Sequence, residues 1–257
     1  MLDGGVVVDE RAGAGRCLVV RDPEAFAEFC RRLFPDLPTA PSVSSRVSGI
    51  AHFRDSKTYA SDTPTVLTLR AWSDTALWRS GQPVPAAQAT AAHGVFSFAL
   101  APGGQYELRA PCALVENPAM LLAFEQLGVT SAVPIALYAG GRVSERVLNW
   151  LAHSSAPGFR LVHFPDYDPV GMSEFVRVRA ALGDRATLHL PAGLGEVFSR
   201  FANPDLLRRE ASQALLPALR NNPLPEVRAV LDLIEGHNAG LEQEALLIAA
   251  QLSHRND

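Results

Sequence analysis

A chain of 257 residues, 47% hydrophobic and 19% charged, can bury one large core or two modest ones. Its net charge of −4 argues against coating nucleic acid through bulk positive charge, while leaving local contact with DNA open. No run approaches the length of apolar sequence that a membrane helix needs, and the acidic start MLDGGVVVDERAG lacks a signal peptide's basic region, so a cytoplasmic protein with no membrane partner is expected.

Cys17, Cys30 and Cys112 are odd in number and lack paired ligand spacing, which favours reduced, mostly buried thiols over disulfides or zinc ligands. Lys57 is the single lysine. The arginine bias suits phosphate contacts, although GC-rich coding would produce the same bias.

In chain order, 16–21 (RCLVVR) reads as a short strand. Residues 23–34 read as an amphipathic helix, with Pro23 in the first turn and Phe26, Phe29, Cys30 and Leu33 on one face. Residues 35–45, rich in Pro and Ser, read as a loop. Alternation makes 65–72 (TVLTLRAW) a strand, and 79–94 a linker or weak helix. Strands at 95–100 and 105–109 are expected to pair across Pro102–Gly103–Gly104. Residues 1–110 thus form a small α+β region.

From 111 the pattern changes. Residues 112–116 (CALVE) form a strand that ends in an acid. Asn117 caps and Pro118 opens the helix PAMLLAFEQL. A strand at 133–139 ends at Gly140–Gly141, a helix follows at 143–152, a third strand at 159–165, a helix at 171–182 and a fourth strand at 186–190. The order β-α-β-α-β-α-β predicts an α/β domain over 111–257, with a mostly parallel four-stranded sheet and helices on both faces. Four C-terminal helices are expected at 194–202, 205–219, 225–235 and 240–253, with NNPLP before the third and Gly236 as its stop. Trp150, Phe159 and Phe175 are assigned to the core, and His163 is read as a packed or edge residue.

Ligands bind beyond the carboxyl ends of parallel strands. There the sequence places Glu116 after the first strand, Gly140–Gly141 after the second, and Asp166–Tyr167–Asp168 after the third. In an extended backbone Asp166 and Asp168 point to one side. Singly, Glu116 reads as an acid at a helix N-terminus, Asp166 as a turn cap and Asp168–Pro169 as a turn pair. Together, three crowded carboxylates raise one another's pKa, and a hard cation removes that penalty. Oxygen ligands with no cysteine or histidine cluster favour Mg²⁺ or Mn²⁺ over zinc, and such an ion suits phosphoryl chemistry. No GxxxxGK[ST] loop or GxSxG elbow is present.

Residues 111–250 resemble a Toprim domain, the metal-binding fold of topoisomerases, primases and several nucleases. ALVENPAMLLAFEQL resembles the motif carrying the Toprim glutamate, here Glu116. LYAGGRVSERVLNWL resembles the glycine-bearing second strand and its helix. HFPDYDPVGM resembles the D-x-D-P-x-G motif, here Asp166, Asp168 and Gly171. GLEQEALL resembles a C-terminal acidic motif, in which Glu242 or Glu244 approaches the metal. The nearest relatives by these motifs are the topoisomerase VI A-subunit-like proteins, in particular the JetD nuclease subunits of the Wadjet anti-plasmid systems.

That resemblance implies a Mg²⁺- or Mn²⁺-dependent DNA endonuclease, with Glu116, Asp166 and Asp168 as catalytic and metal-holding residues. It further implies a winged-helix-like DNA-binding part within 1–110, an SMC-like chromosome-structuring ATPase complex as partner, and leaves a homodimer open. In HFRDSKTY (52–59) Arg54 and Asp55 fit the relatives' pattern, but Tyr59 is displaced from the strand-cleaving position, so hydrolysis is expected rather than tyrosine-linked cleavage. Arg54 and Lys57 are candidate phosphate contacts, and Gly140 and Gly141 line the substrate side. Two rival readings are a non-catalytic Toprim-like subunit that binds DNA or protein, and a small-molecule phosphotransfer enzyme with a closed pocket over Gly140–Gly141.

Overall fold

A computed structural model describes residues 4–12, 15–33, 65–101, 105–138, 140–154 and 156–253. The candidate contacts Arg54 and Lys57, and Tyr59 with them, lie outside the described residues. The chain divides into two compact units, Met1–Pro64 and Thr65–Asp257.

In the first unit, β1 (Val7–Ala12) pairs antiparallel with β2 (Gly15–Val20), from Val7 opposite Val20 to Ala12 opposite Gly15. Only β2 was expected. Helix α1 (Pro23–Leu33) follows, and Asp22 Oδ1 accepts the Ala25 N–H at 2.9 Å in its first turn.

The second unit holds β3 (Thr65–Ala71), β4 (Leu77–Arg79), β5 (Gln82–Pro83), α2 (Ala86–His93), β6 (Phe96–Leu100) and β7 (Tyr106–Leu108). It continues with β8 (Cys112–Val115), α3 (Pro118–Ala123), β9 (Ile135–Tyr138), α4 (Glu145–His153), β10 (Leu161–Phe164), α5 (Pro169–Leu182) and β11 (Ala186–Leu188). The helices α6 (Leu194–Phe201), α7 (Pro204–Arg208), α8 (Glu210–Arg220), α9 (Pro225–His237) and α10 (Ala245–Ser253) complete it.

The fold is α/β with a mixed, mostly parallel sheet. Its strand order is β11-β10-β8-β9-β3-β6, so the sheet has six strands rather than four. The four parallel strands are the expected ones, with Val115 level with Phe164 on one side and Tyr138 on the other. β3 and β6 extend it antiparallel, from a region expected to stand apart. β6 and β7 do not pair with each other: β6 pairs with β3, whereas β7 joins β4 and β5 in a small second sheet. Strand alternation identifies such segments but does not choose their partners.

Both faces of the sheet are covered. Ala113 and Val115 look into one core with Met120 and Leu121 of α3 and the C-terminal helices. Cys112 and Leu114 look into the other, with Val147, Leu148 and Leu151 of α4. The two crossovers therefore lie on opposite faces, and β8 is flanked by strands whose connections run in opposite directions. That is a topological switch point, where an open α/β sheet parts at its carboxyl edge.

Several boundaries moved. Helix α5 begins two residues early because Asp168, not Asp166, is its cap: extended at φ −133°, it accepts the Gly171 N–H at 2.8 Å. The expected helix at 205–219 is two, α7 and α8. Gly236 lies inside α9, which stops instead at Asn238 in a left-handed conformation. The expected helix at 240–253 starts only at Ala245, because Leu241 exchanges backbone hydrogen bonds with Tyr167 and Gly240 with Asn203. Of the thiols only Cys112 is buried; Cys30 is half-buried and Cys17 exposed. Phe159 and Phe175 are buried as expected, whereas Trp150 is half-buried and donates to the Tyr106 carbonyl. Among the described residues no helix is long and apolar enough to cross a membrane.

Candidate active site

The carboxyl ends of β8 and β10 are neighbours, so Glu116 and the Asp166–Asp168 pair arrive side by side. Alternation sets the pair. Tyr167 points into the core, fully buried, and donates its hydroxyl to the His189 carbonyl at 2.8 Å. The flanking acids point the other way. Burial pushes the Tyr167 phenol well up, so it stays protonated.

Two glycines bring backbone close to this turn. A Cβ on Gly171 would stand 2.1 Å from the Asp166 carbonyl oxygen, and one on Gly240 would stand 2.9 Å from Asp168 Cβ. Gly240 lies in the short segment that runs antiparallel to Tyr167. This segment carries the remaining acids. The Gln243 N–H donates to Asp166 Oδ1 at 2.9 Å, and the Asn117 side-chain amide donates to Glu244. Asn117 also caps α3 through Ala119 N–H, as the sequence predicted.

The electrostatics are uncompensated. Among the described residues no arginine pairs with Glu116, Asp166 or Asp168. Burial, assisted by the charges of Asp166 and Glu116, raises the Asp168 carboxyl to about 6 against the help of its bond from Gly171. Burial likewise raises Glu244, with Asp166 and Glu242 adding to the effect. Below Glu116 lies His163, with no solvent exposure. Its Nε2 is 3.2 Å from Glu116 Oε1, without the alignment of a hydrogen bond, and neither atom has another partner. His163 is the packed residue expected, yet its ring is aimed at the catalytic candidate.

Glu116, Asp166 and Asp168 thus share one edge, with Glu242, exposed, and Glu244, half-buried, on the adjoining turn. Among the described residues no three Asp, Glu, His or Cys side chains close around one point as a finished metal cage. The donors nevertheless fit a hard cation: they are all oxygens, Glu116 Oε1 is buried without a hydrogen bond, and among the described residues no arginine pairs with them. Asp166 Oδ1 accepts the Gln243 N–H and Asp168 Oδ1 the Gly171 N–H, with the Val170 N–H also bonding the Asp168 carboxyl.

Gly140 and Gly141 follow β9 with φ of +73° and +82°, and nothing stands within 4 Å of a Cβ built on either. Glycine is required there for backbone conformation, not space. They lead into Arg142, which lines a pocket of about 220 Å³ with Glu116, Val170, Ser173, Glu174 and Leu215. No residue-specific signal in the sequence marks Arg142, Ser173 or Glu174. Glu174 is buried, accepts the Val143 N–H at 3.1 Å, and is clasped by Arg177 through Nε at 3.1 Å and Nη2 at 2.5 Å. A buried acid one turn into α5 is the signal that could have prompted a search for its partners. No protein-family model and no curated protein matches the sequence.

Proposed function

We propose that the protein is a divalent-metal-dependent DNA endonuclease of the Toprim kind, resembling the nuclease subunit of a Wadjet anti-plasmid system. The observation that carries this reading is the set of Glu116, Asp166 and Asp168 at the switch point of a parallel sheet, with no arginine paired to any of them among the described residues and with burial, assisted by the neighbouring acids, raising Asp168 to about 6. A protein that needed these acids only for turns would have little reason to leave them unpaired and partly buried.

Glu116, Asp166 and Asp168 would hold Mg²⁺ or Mn²⁺, with Glu244 and Glu242 adjoining. When bound, the ion supplies Lewis acidity, a more acidic bound water and neutralisation of charge on the phosphate. The chain's own residues do the rest. Asp168 fixes the N-terminus of α5 through Gly171, and Gln243 N–H orients Asp166. Glu116, with its free oxygen, is placed to take a proton as well as to ligate. DNA is the substrate in this reading, and an SMC-like ATPase complex the partner.

A second reading, a non-catalytic DNA- or protein-binding subunit, draws on the lack of a closed trio of ligands among the described residues. Supercoiled-plasmid cleavage with Mg²⁺ or Mn²⁺ separates the two. Wild type should nick or linearise the plasmid, and E116A and D166A, folded by circular dichroism, should lose that activity. Cleavage surviving in both variants would sink the reading.

A further inference from the structure

We propose that Arg142 is the phosphate anchor of this site, taking a non-bridging oxygen of the DNA backbone beside Glu116; this deepens the nuclease reading and rests on it. Arg142, Glu116 and Ser173 line the same pocket. The question is whether Arg142 is there for structure alone, as the counter-charge of Glu174. The geometry argues otherwise.

Glu174 already has its counter-charge. Arg177 grips both carboxylate oxygens, its side chain only 19% exposed, and Val143 N–H adds a further bond. The nearest approach of Arg142 to Glu174 is Nε to Oε2 at 3.2 Å, an ion pair, and its side chain is 76% exposed. Among the described residues no side-chain hydrogen bond and no other ion pair holds it. A guanidinium this exposed can turn its Nη groups outward as a fork, the geometry that binds a phosphate bidentately. Glu174 thus holds the guanidinium, and Gly140–Gly141 give the loop its turn. Arg142 is also a basic side chain facing the pocket that Glu116 lines, so it can hold a phosphate while the acids hold the metal.

The test is fluorescence anisotropy of a short DNA duplex with the full chain in Ca²⁺, which limits turnover, over a range of salt. R142A should weaken binding about tenfold, the loss of one charge-assisted contact, and lower the slope of log Kd against log salt by about one. R142K should restore the slope while regaining only part of the affinity, because an ammonium cannot fork. In Mg²⁺, plasmid cleavage by R142A should show KM raised more than kcat is lowered. Should R142A lose its melting transition, the longer R142Q replaces it. Wild type that binds DNA, with R142A unchanged in affinity and slope, overturns the anchor alone. Wild type that binds no DNA overturns the nuclease reading and the anchor with it.

Discussion

Asp168 is expected to make the folded protein less stable, and Asp168→Asn should show by how much. The carboxyl is 3% exposed and its pKa is raised from 3.8 to about 6, by burial first and then by Asp166 and Glu116. Between those values the folded state holds a proton that the unfolded state has released, so stability falls as pH rises through the window. Above it, the full difference of about 3 kcal/mol is lost, at about 1.36 kcal/mol per unit. Below about pH 4 nothing is lost. Asparagine caps a helix as well as aspartate does, so D168N keeps the bond from Gly171 N–H while removing the charge. It should be more stable than wild type by about 3 kcal/mol at pH 8 and by about half that at pH 5. For a chain of this size that is a rise in Tm of about 6–12 °C at pH 8. Urea titrations at several pH values measure the gap directly. A D168N variant no more stable than wild type at pH 8, or one whose gain is independent of pH, would refute the reasoning. The same variant should lose plasmid cleavage, since a stabilising change at a functional acid removes the function it was kept for.

Gly171→Ala should be severely destabilising, because its Cβ meets the Asp166 carbonyl, backbone rather than a mobile side chain; a loss of about 3 kcal/mol or more is expected from overpacking and a displaced cap, and a wild-type urea midpoint would contradict it. The thiols should separate by rate. Exposed Cys17 should react with a thiol reagent in the native state, whereas Cys112, buried and with its pKa pushed well up by desolvation, should react only on unfolding.

The candidate site was largely legible because its signals are local. A short apolar run ending in an acid, an Asn-Pro helix start, and Asp-x-Asp before Pro and Gly each specify their own few residues. The alternation that buried Tyr167 and turned Asp166 and Asp168 together needed no knowledge of the rest of the chain. What the sequence could not convey was pairing at a distance. β3 and β6 are plain strands in isolation, but only the tertiary fold places β3 antiparallel beside β9 and β6 antiparallel beside β3. Residues 240–244 continue the pattern of α10, and the pull of the Tyr167 and Asn203 backbones overrides that propensity. Arg142 lies in the glycine-bearing stretch after β9, but nothing in that stretch singles it out. Its place is set by a glycine turn and by Glu174, 32 positions on in the chain.

The strand-end carboxylates are proposed as a divalent-cation site, and calorimetric titration of the full chain with Mn²⁺ or Mg²⁺ tests that most directly, whether or not a partner is needed for cleavage. Saturable binding by wild type, abolished in D166A and E116A that keep their fold, is the predicted result. A well-folded wild type that binds neither ion, or binding that survives both substitutions, would contradict it.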